Sequence, residues 1–367
     1  MNVLKSLESM GHEQVSYFCD PSSGLKGIVP IHNTILGPAL GGCRMWNYRS
    51  EEEALIDVLR LSRGMTYKAA IAGLNLGGGK AVIIGDSKKE KSENLFRSFG
   101  RFVEGLGGRY ITAEDVGTSV RDMEHVRVET DYVTGITRAL GGSGDPSYLT
   151  SYGVYIGMQA AIKHRMKLNS LSGLKISLQG LGHVGISLAE YLHKDGAELF
   201  VSDIDELAVD KVVDKYGATK VGVDEIYDLD VDIYAPCALG ATINDETISR
   251  LNCKIVAGAA NNVLKDGKKH GLKLKEKNIL YAPDYAINAG GLINVSNELE
   301  GYNQDKAYSQ AEGIYDTLMG IFSRSDSENI STNAASDRQA EDRIKKIGDL
   351  KSFYLPYKKS FNVRSVK

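Results

Sequence analysis

The spacing of apolar residues in the first half of the chain changes from that of strands to that of helices. Residues 14–19 and 27–31 are short runs rich in β-branched and aromatic residues, separated by a Pro-Ser-Ser-Gly turn. From Ser50, which forms a capping box with Glu53, apolar residues recur at helical intervals. The same reasoning predicts a buried strand at 81–86, an amphipathic helix at 94–106, and a strand that begins at Tyr110 and runs into an acidic pair.

The second half alternates short apolar strands with helices, as parallel βαβ units do. A stretch at 135–148, rich in Gly, Ser, Asp and Pro, precedes it and predicts a hinge between domains. Strands are expected at 175–178, 199–202, 233–235, 255–257 and 279–282. Helices are expected at 151–165, 304–323 and 338–347, with a polar connector at 324–337.

Together these elements predict an α/β protein with two domains, the second built on a parallel sheet. The first domain is expected to comprise residues 1–140 and a returning C-terminal segment of about 325–367, and the second domain residues 141–324. The length of 367 residues agrees with this division, because a single compact core rarely grows so large.

The composition, 42% hydrophobic and 25% charged, is that of a globular protein. A net charge of −3 argues against nucleic acid and anionic membranes as partners. The four cysteines are scattered, with no Cys-x-x-Cys pair and no histidine at metal-ligand spacing, so we expect reduced thiols and no metal site. Neither a secretion signal nor an apolar stretch of about 18 residues is found, so we expect a cytoplasmic protein.

A glycine-rich turn after one predicted strand has the spacing of a dinucleotide-binding loop. Gly180, Gly182 and Gly185 form Gly-x-Gly-x-x-Gly, a helix pattern follows, and Asp203 ends the next strand 23 positions after Gly180. The glycines allow the turn, the approach of the pyrophosphate and close helix packing. Asp203 suits the ribose hydroxyls and would repel a 2′-phosphate, so NAD is favoured over NADP. The alternative is a chance glycine pattern.

A second stretch, from Met65 to Lys80, combines two lysines with three consecutive glycines. Lys68 and Lys80 lie twelve positions apart among apolar residues, and Gly77–Gly79 lead directly into Lys80. A lysine amine in such surroundings, with a second lysine nearby, has a lowered pKa and can accept protons near neutral pH. The glycines are expected to let Lys80 and the main chain come close to a ligand. The alternative is a surface turn with two solvated lysines.

The glycine run does not fit a phosphate-binding P-loop. That motif needs glycine at the position of Leu74 and serine or threonine at the position of Ala81. The lysines are therefore available for a second substrate, and the point charge of a lysine suits a carboxylate.

Long motifs in one order lie at residues 37–46, 65–80, 112–118, 234–241, 258–262 and 282–291. Together they resemble the amino acid dehydrogenases of the glutamate, leucine, phenylalanine and valine group, and most closely the leucine enzymes. The resemblance implies an N-terminal α/β substrate-binding and oligomerisation domain, a Rossmann-type NAD-binding domain, and an active site in the cleft between them. It also implies reversible, NAD-dependent oxidative deamination of L-leucine and other branched-chain L-amino acids to 2-oxo acids and ammonia.

The resemblance also implies roles for individual residues. Lys68 matches the lysine that holds the substrate carboxylate, Lys80 the catalytic lysine, and Asp115 the acid that exchanges protons with the amine. The alternative for the acidic pair Glu114-Asp115 is a helix N-cap. The implied substrate-binding positions are Leu40, Gly41, Ala113, Asn261, Leu292 and Val295. The implied cofactor-binding positions are Thr150, Gly180, Gly182, His183, Val184, Gly185, Asp203, Ala238, Asn261 and Asn288.

Leu40 stands where the glutamate enzymes of this family carry a lysine that pairs with the substrate side chain. Without that partner, a buried carboxylate is costly, so glutamate is expected to be a poor substrate. Leu40, Ala113, Leu292 and Val295 match the apolar side-chain pocket of the leucine enzymes. One methylene group in an apolar pocket changes the preference between two substrates by only about 1–3 kcal/mol, so the ranking of leucine, valine and isoleucine stays open.

Two other functions remain open at this point: a phenylalanine or valine dehydrogenase of the same family, and a non-catalytic sensor of NAD or an amino acid. The presence of Lys68, Lys80 and Asp115 together disfavours the sensor. The assembly that the resemblance implies is a homo-octamer, with a homodimer as the smaller possibility.

Overall fold

The computed structural model describes residues 3–350, which divide into two compact units. The first unit comprises the chain up to Asp145, Asn294–Gln304 and the chain from Ala340, and the second comprises Pro146–Ile293 and Asp305–Gln339. The strands are β1 (Gln14–Asp20), β2 (Leu25–Asn33), β3 (Ala39–Leu40), β4 (Cys43–Trp46), β5 (Gly77–Gly79), β6 (Ala81–Ile84), β7 (Tyr110–Ile111), β8 (Lys175–Gln179), β9 (Glu198–Ser202), β10 (Thr219–Lys220), β11 (Asp230–Pro236), β12 (Asn252–Val256) and β13 (Leu280–Tyr281).

The helices agree with an α/β protein. The α-helices are α1 (Val3–Met10), α2 (Glu51–Ile71), α3 (Glu93–Gly105), α4 (Val120–Arg127), α5 (Ser147–Met166), α6 (His183–Lys194), α7 (Glu206–Tyr216), α8 (Thr247–Arg250), α9 (Gly267–Glu276), α10 (Asp284–Ile287), α11 (Gly290–Ser296), α12 (Gln304–Glu312), α13 (Ile314–Glu328) and α14 (Thr332–Gly348). Short 3-10 helices lie at Arg138–Leu140, Glu225–Tyr227 and Asn297–Glu300. Among residues 3–350, no helix is long and apolar enough to span a bilayer.

A mixed sheet forms the centre of the first unit, in the order β4-β6-β2-β5-β3-β7, with β1 also paired to β2. Alternate residues of β6 face opposite sides, as the two-residue period of a strand requires. Ile83 joins the core that contains Phe96 of α3 and Met123 of α4, whereas Val82 joins the core that contains Val58 of α2. The sheet is therefore buried on both faces, and α2 lies on the face away from α3 and α4.

Helix α2 begins where the capping box predicts. Ser50 is the N-cap, and its hydroxyl accepts a hydrogen bond from the Glu53 N–H at 3.1 Å. The helix continues to Ile71, so the first half of the stretch from Met65 to Lys80 is helical. The reason is that strong helix formers continue up to Ala72. Gly73, with a φ of 73°, then ends the helix in the left-handed conformation.

The second unit contains a parallel six-stranded sheet in the order β10-β9-β8-β11-β12-β13. The chain starts in the middle, builds outwards to β10, and then crosses to β11 on the other side of β8. This is the doubly wound order of dinucleotide-binding domains, whose ligands bind where the order reverses, beyond the carboxyl ends of the strands. The predicted strands and their parallel arrangement are confirmed, and the short edge strand β10 was not predicted.

The end of the described chain differs from the prediction. The polar connector expected at 324–337 is helical except around Asn329, whose φ of 54° ends α13. The chain joins the first unit at Ala340 rather than near residue 325. In this last segment, the Arg343 guanidinium donates a hydrogen bond to the Leu74 carbonyl of the first unit at 2.7 Å. Before it, Arg338 still pairs with Glu328 of α13. Asn294–Gln304 is a further passage through the first unit, and residues 351–367 lie outside the described chain.

Candidate active site

Lys80 occupies a break between two strands. Strands β5 and β6 pair with β2 on one side and with β3 and β4 on the other, and Lys80 is the residue between them. The register of β2 shifts opposite this point, between Ile31 and Asn33. Such an irregularity redirects a side chain out of the regular alternation. The Lys80 side chain is nonetheless buried, with only 6% of the residue exposed.

The three glycines before Lys80 are required by close packing within the protein. A Cβ on Gly77 would lie 2.0 Å from the Asn33 carbonyl oxygen, and a Cβ on Gly79 would lie 2.7 Å from the Tyr110 ring. On Gly78 it would lie 2.1 Å from the backbone nitrogen of Thr66 in α2. Protein atoms fill the space beside each of these glycines, so packing within the protein already requires that they have no side chain, and the expectation that they also make room for a ligand stays a prediction.

Lys80 forms an ion pair with Asp115. The Lys80 Nζ lies 3.0 Å from Oδ2 of Asp115. Asp115 follows β7 in a loop that is held by Thr118, whose hydroxyl accepts from the Asp115 N–H at 2.9 Å and donates to the Cys43 carbonyl at 2.9 Å. The N-cap of the following helix is Ser119, so the alternative of a helix cap is wrong for Asp115. Its carboxylate faces the lysine instead.

Arg44 makes a second ion pair with the same oxygen. Its Nε lies 3.1 Å from Oδ2 of Asp115, and its Nη1 lies 2.9 Å from Oδ2 of Asp57 in α2. Burial raises the pKa of Asp115, but the charges of Lys80 and Arg44 lower it by more, so the pKa lies below its ordinary value. The Asp115 carboxylate is therefore ionised near neutral pH.

The acidic neighbour of Asp115 has the opposite shift. Burial, together with the carboxylates of Asp145, Glu298 and Asp115, raises the pKa of Glu114. Glu114 and Asp115 thus lie in different environments, and of these two acids it is Asp115 that forms the ion pair with Lys80.

Lys68 lies in the last turn of α2 and is half-buried. The packing of Thr66 on Gly78 brings this end of the helix against the strand that leads into Lys80. Next to that strand, a Cβ on Gly41 would lie 1.8 Å from the Gly79 carbonyl oxygen. The first unit thus contains four of the sequence-predicted residues, namely Gly41, Lys68, Lys80 and Asp115.

The predicted apolar pocket residues are all buried. Leu40 is 2% exposed, Ala113 6% and Val295 8% in the first unit, and Leu292 is 6% exposed in the second. Leu40 pairs with Gly78 on one side and with Ile111 on the other.

The glycine loop of the second unit has the geometry that a dinucleotide requires. Gly180 follows β8 with a φ of 102°, which side chains rarely adopt. A Cβ on Gly185 would lie 2.0 Å from the Gly180 carbonyl oxygen, whereas a Cβ on Gly182 would meet no atom within 4 Å. Gly182 therefore presents open backbone at the start of α6, whose first residues are His183 and Val184. These residues fit a pyrophosphate.

Asp203 closes this loop at the end of β9. Its carboxylate accepts hydrogen bonds from the backbone N–H groups of Leu181 and Asp205. A carboxylate has lone pairs for further donors, so it can also accept from ribose hydroxyls. The charge lies where the adenosine ribose binds in doubly wound folds.

The remaining predicted cofactor residues follow the carboxyl ends of other strands or adjoin them. Ala238 comes after β11 and packs on Gly180, since a Cβ on Gly180 would lie 2.5 Å from the Ala238 nitrogen. The Asn288 amide donates to Oδ1 of Asn261 at 2.8 Å. Thr150 lies in the first turns of α5, and a Cβ on Gly291 would lie 2.8 Å from its Oγ1. The second unit thus gathers its predicted residues at one edge of the sheet.

Sequence reasoning missed Arg44, Asp57 and Tyr48. The Tyr48 hydroxyl donates to Oδ2 of Asp57 at 2.7 Å, and Asp57 in turn holds Arg44. Arg44 lies inside one of the recognised motifs, 37–46, and that was the only available signal. No spacing rule links it to Asp115, which is 71 positions away.

Comparisons with known proteins agree with this arrangement. Residues 12–132 match the family model "Glu/Leu/Phe/Val dehydrogenase, dimerisation domain". Residues 141–210 and 201–345 match the model "Glutamate/Leucine/Phenylalanine/Valine dehydrogenase". The chain is 55% identical to the leucine dehydrogenase of Thermoactinomyces intermedius over 97% of both chains. It is 47% identical to the phenylalanine dehydrogenase of Caldalkalibacillus thermarum over 94% of both.

A solved structure supports the fold. The crystal structure of L-tryptophan dehydrogenase from Nostoc punctiforme superposes with a TM-score of 0.85 at 47% identity, covering 94% of this chain and 99% of the other. These similarities extend over both units and include the loops that carry the site residues.

Proposed function

Because the chain belongs to the Glu/Leu/Phe/Val dehydrogenase family, and is therefore an amino acid dehydrogenase with a nicotinamide cofactor, we propose that it oxidatively deaminates L-leucine and other branched-chain L-amino acids with NAD. The reaction is reversible and yields a 2-oxo acid and ammonia. The observation that carries the proposal is the ion pair of the buried Lys80 with Asp115, 3.0 Å apart.

The substrate is held and deprotonated by residues of the first unit. Lys68 binds the α-carboxylate through its point charge. Asp115, ionised because of its cationic neighbours, accepts a proton from the α-ammonium group. When bound, the nicotinamide supplies a hydride acceptor for the hydrogen on Cα, so the amino acid becomes an imine.

Lys80 then acts as a general base. In its neutral form, after its own proton has passed to solvent, it takes a proton from the water that attacks the carbon of the protonated imine. It then gives that proton to the nitrogen of the carbinolamine and accepts the hydroxyl proton as ammonia leaves, which yields the 2-oxo acid. The 3.0 Å separation is a hydrogen-bonding distance, so a proton can pass directly between Lys80 and Asp115. The two side chains therefore work as one acid–base unit.

The cofactor is NAD rather than NADP in this proposal, because the carboxylate of Asp203 would face a 2′-phosphate. We expect Asp203→Asn to narrow the ratio of kcat/KM for NAD over NADP by about 10-fold or more, the size of a charge-assisted hydrogen bond. Steady-state kinetics with both cofactors measures this ratio. Asp214→Asn, an exposed carboxylate of α7, is the control and should leave the ratio unchanged. A wild-type preference for NADP would refute the assignment.

Leu40 is proposed to exclude glutamate. The side chain is buried, so a glutamate carboxylate beside it would lack a cationic partner, a loss of several kcal/mol. In a panel of L-amino acids with NAD, followed by the absorbance of the reduced nicotinamide, we expect leucine, valine and isoleucine to react. Glutamate should have a kcat/KM at least about 100-fold lower. Efficient turnover of glutamate would contradict the role of Leu40.

The same panel tests the second candidate, an aromatic amino acid dehydrogenase. The identities to the phenylalanine and tryptophan enzymes, 47% and 48%, are not far below that to the leucine enzyme. A higher kcat/KM for phenylalanine or tryptophan than for leucine would select this candidate. No turnover of any amino acid would overturn both.

We further propose that the protein forms a homo-oligomer, an octamer in its full form, and the matched dimerisation domain supports this proposal.

A further inference from the structure

Arg44 connects the proposed acid–base pair to the helix behind it. In β4, Cys43 and Met45 face the core, so Arg44 projects from the opposite face of the strand, toward α2. Its guanidinium contacts Asp115 through Nε and Asp57 through Nη1, at 3.1 and 2.9 Å. A planar guanidinium can bind two carboxylates with a fixed geometry, which a lysine ammonium cannot do.

Asp57 is itself held in place. It accepts from the Tyr48 hydroxyl at 2.7 Å and pairs with Arg60 at 3.2 Å. The Arg44 side chain is 23% exposed and that of Asp57 17%, so both are largely removed from solvent, which would otherwise screen their charges. The orientation of Arg44 is therefore determined by Asp57 of α2 and, through Asp57, by Tyr48, two residues after β4.

The two cations meet at one oxygen of Asp115. Since both Lys80 and Arg44 contact Oδ2, Oδ1 keeps lone pairs for a substrate amine. The charged groups around this carboxylate are Lys80 from the β5–β6 break, Arg44 from β4 and Glu114 from its own loop. Without Arg44, the carboxylate would be free to turn about its Cα–Cβ bond and would face one cation in place of two.

We propose that Arg44 is a positioning residue, one that holds the Asp115 carboxylate against Lys80 and is held in turn by Asp57. The proposal rests on the proposed amino acid dehydrogenase function. In this role, Arg44 acts through Asp115. Its removal should therefore affect proton transfer more than substrate binding.

The pH profile of the Arg44→Gln enzyme tests this role. Since Arg44 lowers the pKa of Asp115, its loss raises that pKa, and Asp115 becomes protonated at higher pH. The acid limb of kcat/KM for L-leucine deamination should move upward by about one pH unit. At neutral pH, kcat should fall by about 10- to 100-fold, the loss expected for a charge-assisted hydrogen bond, with a smaller change in KM.

Two further variants separate positioning from a general effect on folding. Arg60→Gln removes the other arginine on Asp57 without touching Asp115, so its pH profile should match the wild type. Arg44→Lys retains a charge but cannot bridge both carboxylates, so it should restore the acid limb in part and kcat only weakly. Circular dichroism and Tm establish that each variant is folded.

The outcomes distinguish this proposal from the one on which it rests. If the wild type deaminates no amino acid, the proposed function fails. If the wild type is active and folded Arg44→Gln has an unchanged acid limb and kcat, the function stands and the role of Arg44 is wrong. An equal shift in the Arg60→Gln profile would also overturn it, because the effect would then follow the loss of any nearby positive charge.

Discussion

Lys80→Ala is expected to lower kcat for L-leucine deamination by about 10³-fold, the contribution of a positioned general base. The variant loses the group that deprotonates water, and it leaves Asp115 with Arg44 as its cationic partner. The nucleotide loop belongs to the second unit, so the dissociation constant for NAD should stay within about twofold of the wild type. Steady-state kinetics and a fluorescence titration with NADH measure the two quantities.

Lys89→Ala provides the matched control. Lys89 is a nearby lysine whose side chain is 81% exposed and pairs only with Asp86 among the described residues, so its removal should change neither kcat nor cofactor binding. Turnover by Lys80→Ala within tenfold of the wild type would show that another group, or water alone, acts as the base.

Gly78→Ala is expected to destabilise the packing of helix α2 on the glycine strand. The new Cβ would lie 2.1 Å from the Thr66 nitrogen and 2.2 Å from its Oγ1, and the first of these atoms is backbone that cannot rotate away. Overpacking of this kind lowers the free energy of unfolding by about 1–3 kcal/mol. Because the helix end that would move carries Lys68, KM for the amino acid should also rise. Chemical denaturation and kinetics measure both effects.

Gly64→Ala is the control for Gly78→Ala. Gly64 belongs to the same helix, and a Cβ there would meet no atom within 4 Å. Since alanine is the better helix former, this variant should be more stable than the wild type by up to about 1 kcal/mol. A fully stable, fully active Gly78→Ala enzyme would mean that helix α2 does not pack on the glycine strand as described.

The parts of the fold that could be predicted from sequence are those that depend on residues close together in the chain. Ser50 and Glu53 mark the start of α2 because a cap involves residues three positions apart. The loop from Gly180 to Gly185 could be placed because its strand, turn and helix adjoin in the chain. The parallel order of the second sheet then follows from the alternation of strands and helices.

The parts that could not be predicted depend on contacts between distant residues. Arg44 and Asp115 are 71 positions apart, and no periodicity relates a β4 residue to a loop after β7. The passage of Asn294–Gln304 through the first unit depends on Glu298, whose carboxylate accepts from the Ser143 N–H at 2.8 Å, 155 positions away. Such contacts become visible only once the sheet has brought its strands together.

The glycine run shows that a sequence motif does not by itself give the reason for its glycines. Its residues were expected to admit a ligand, because glycine permits close approach of any kind. In the structure, the groups that approach are Asn33, Thr66 and Tyr110. A sequence indicates that something must lie close to a glycine, but not whether it is a ligand or another part of the protein.

The most direct test of the central claim is the stoichiometry of the wild-type reaction with L-leucine and NAD. Reduced nicotinamide, ammonia and the 2-oxo acid are measured from the same samples over time. The proposed reaction predicts that the three products form in equal amounts, and that all three form about 10³-fold more slowly when Lys80 is replaced by alanine. Reduction of NAD without release of ammonia, or no reduction with any L-amino acid, would contradict the claim.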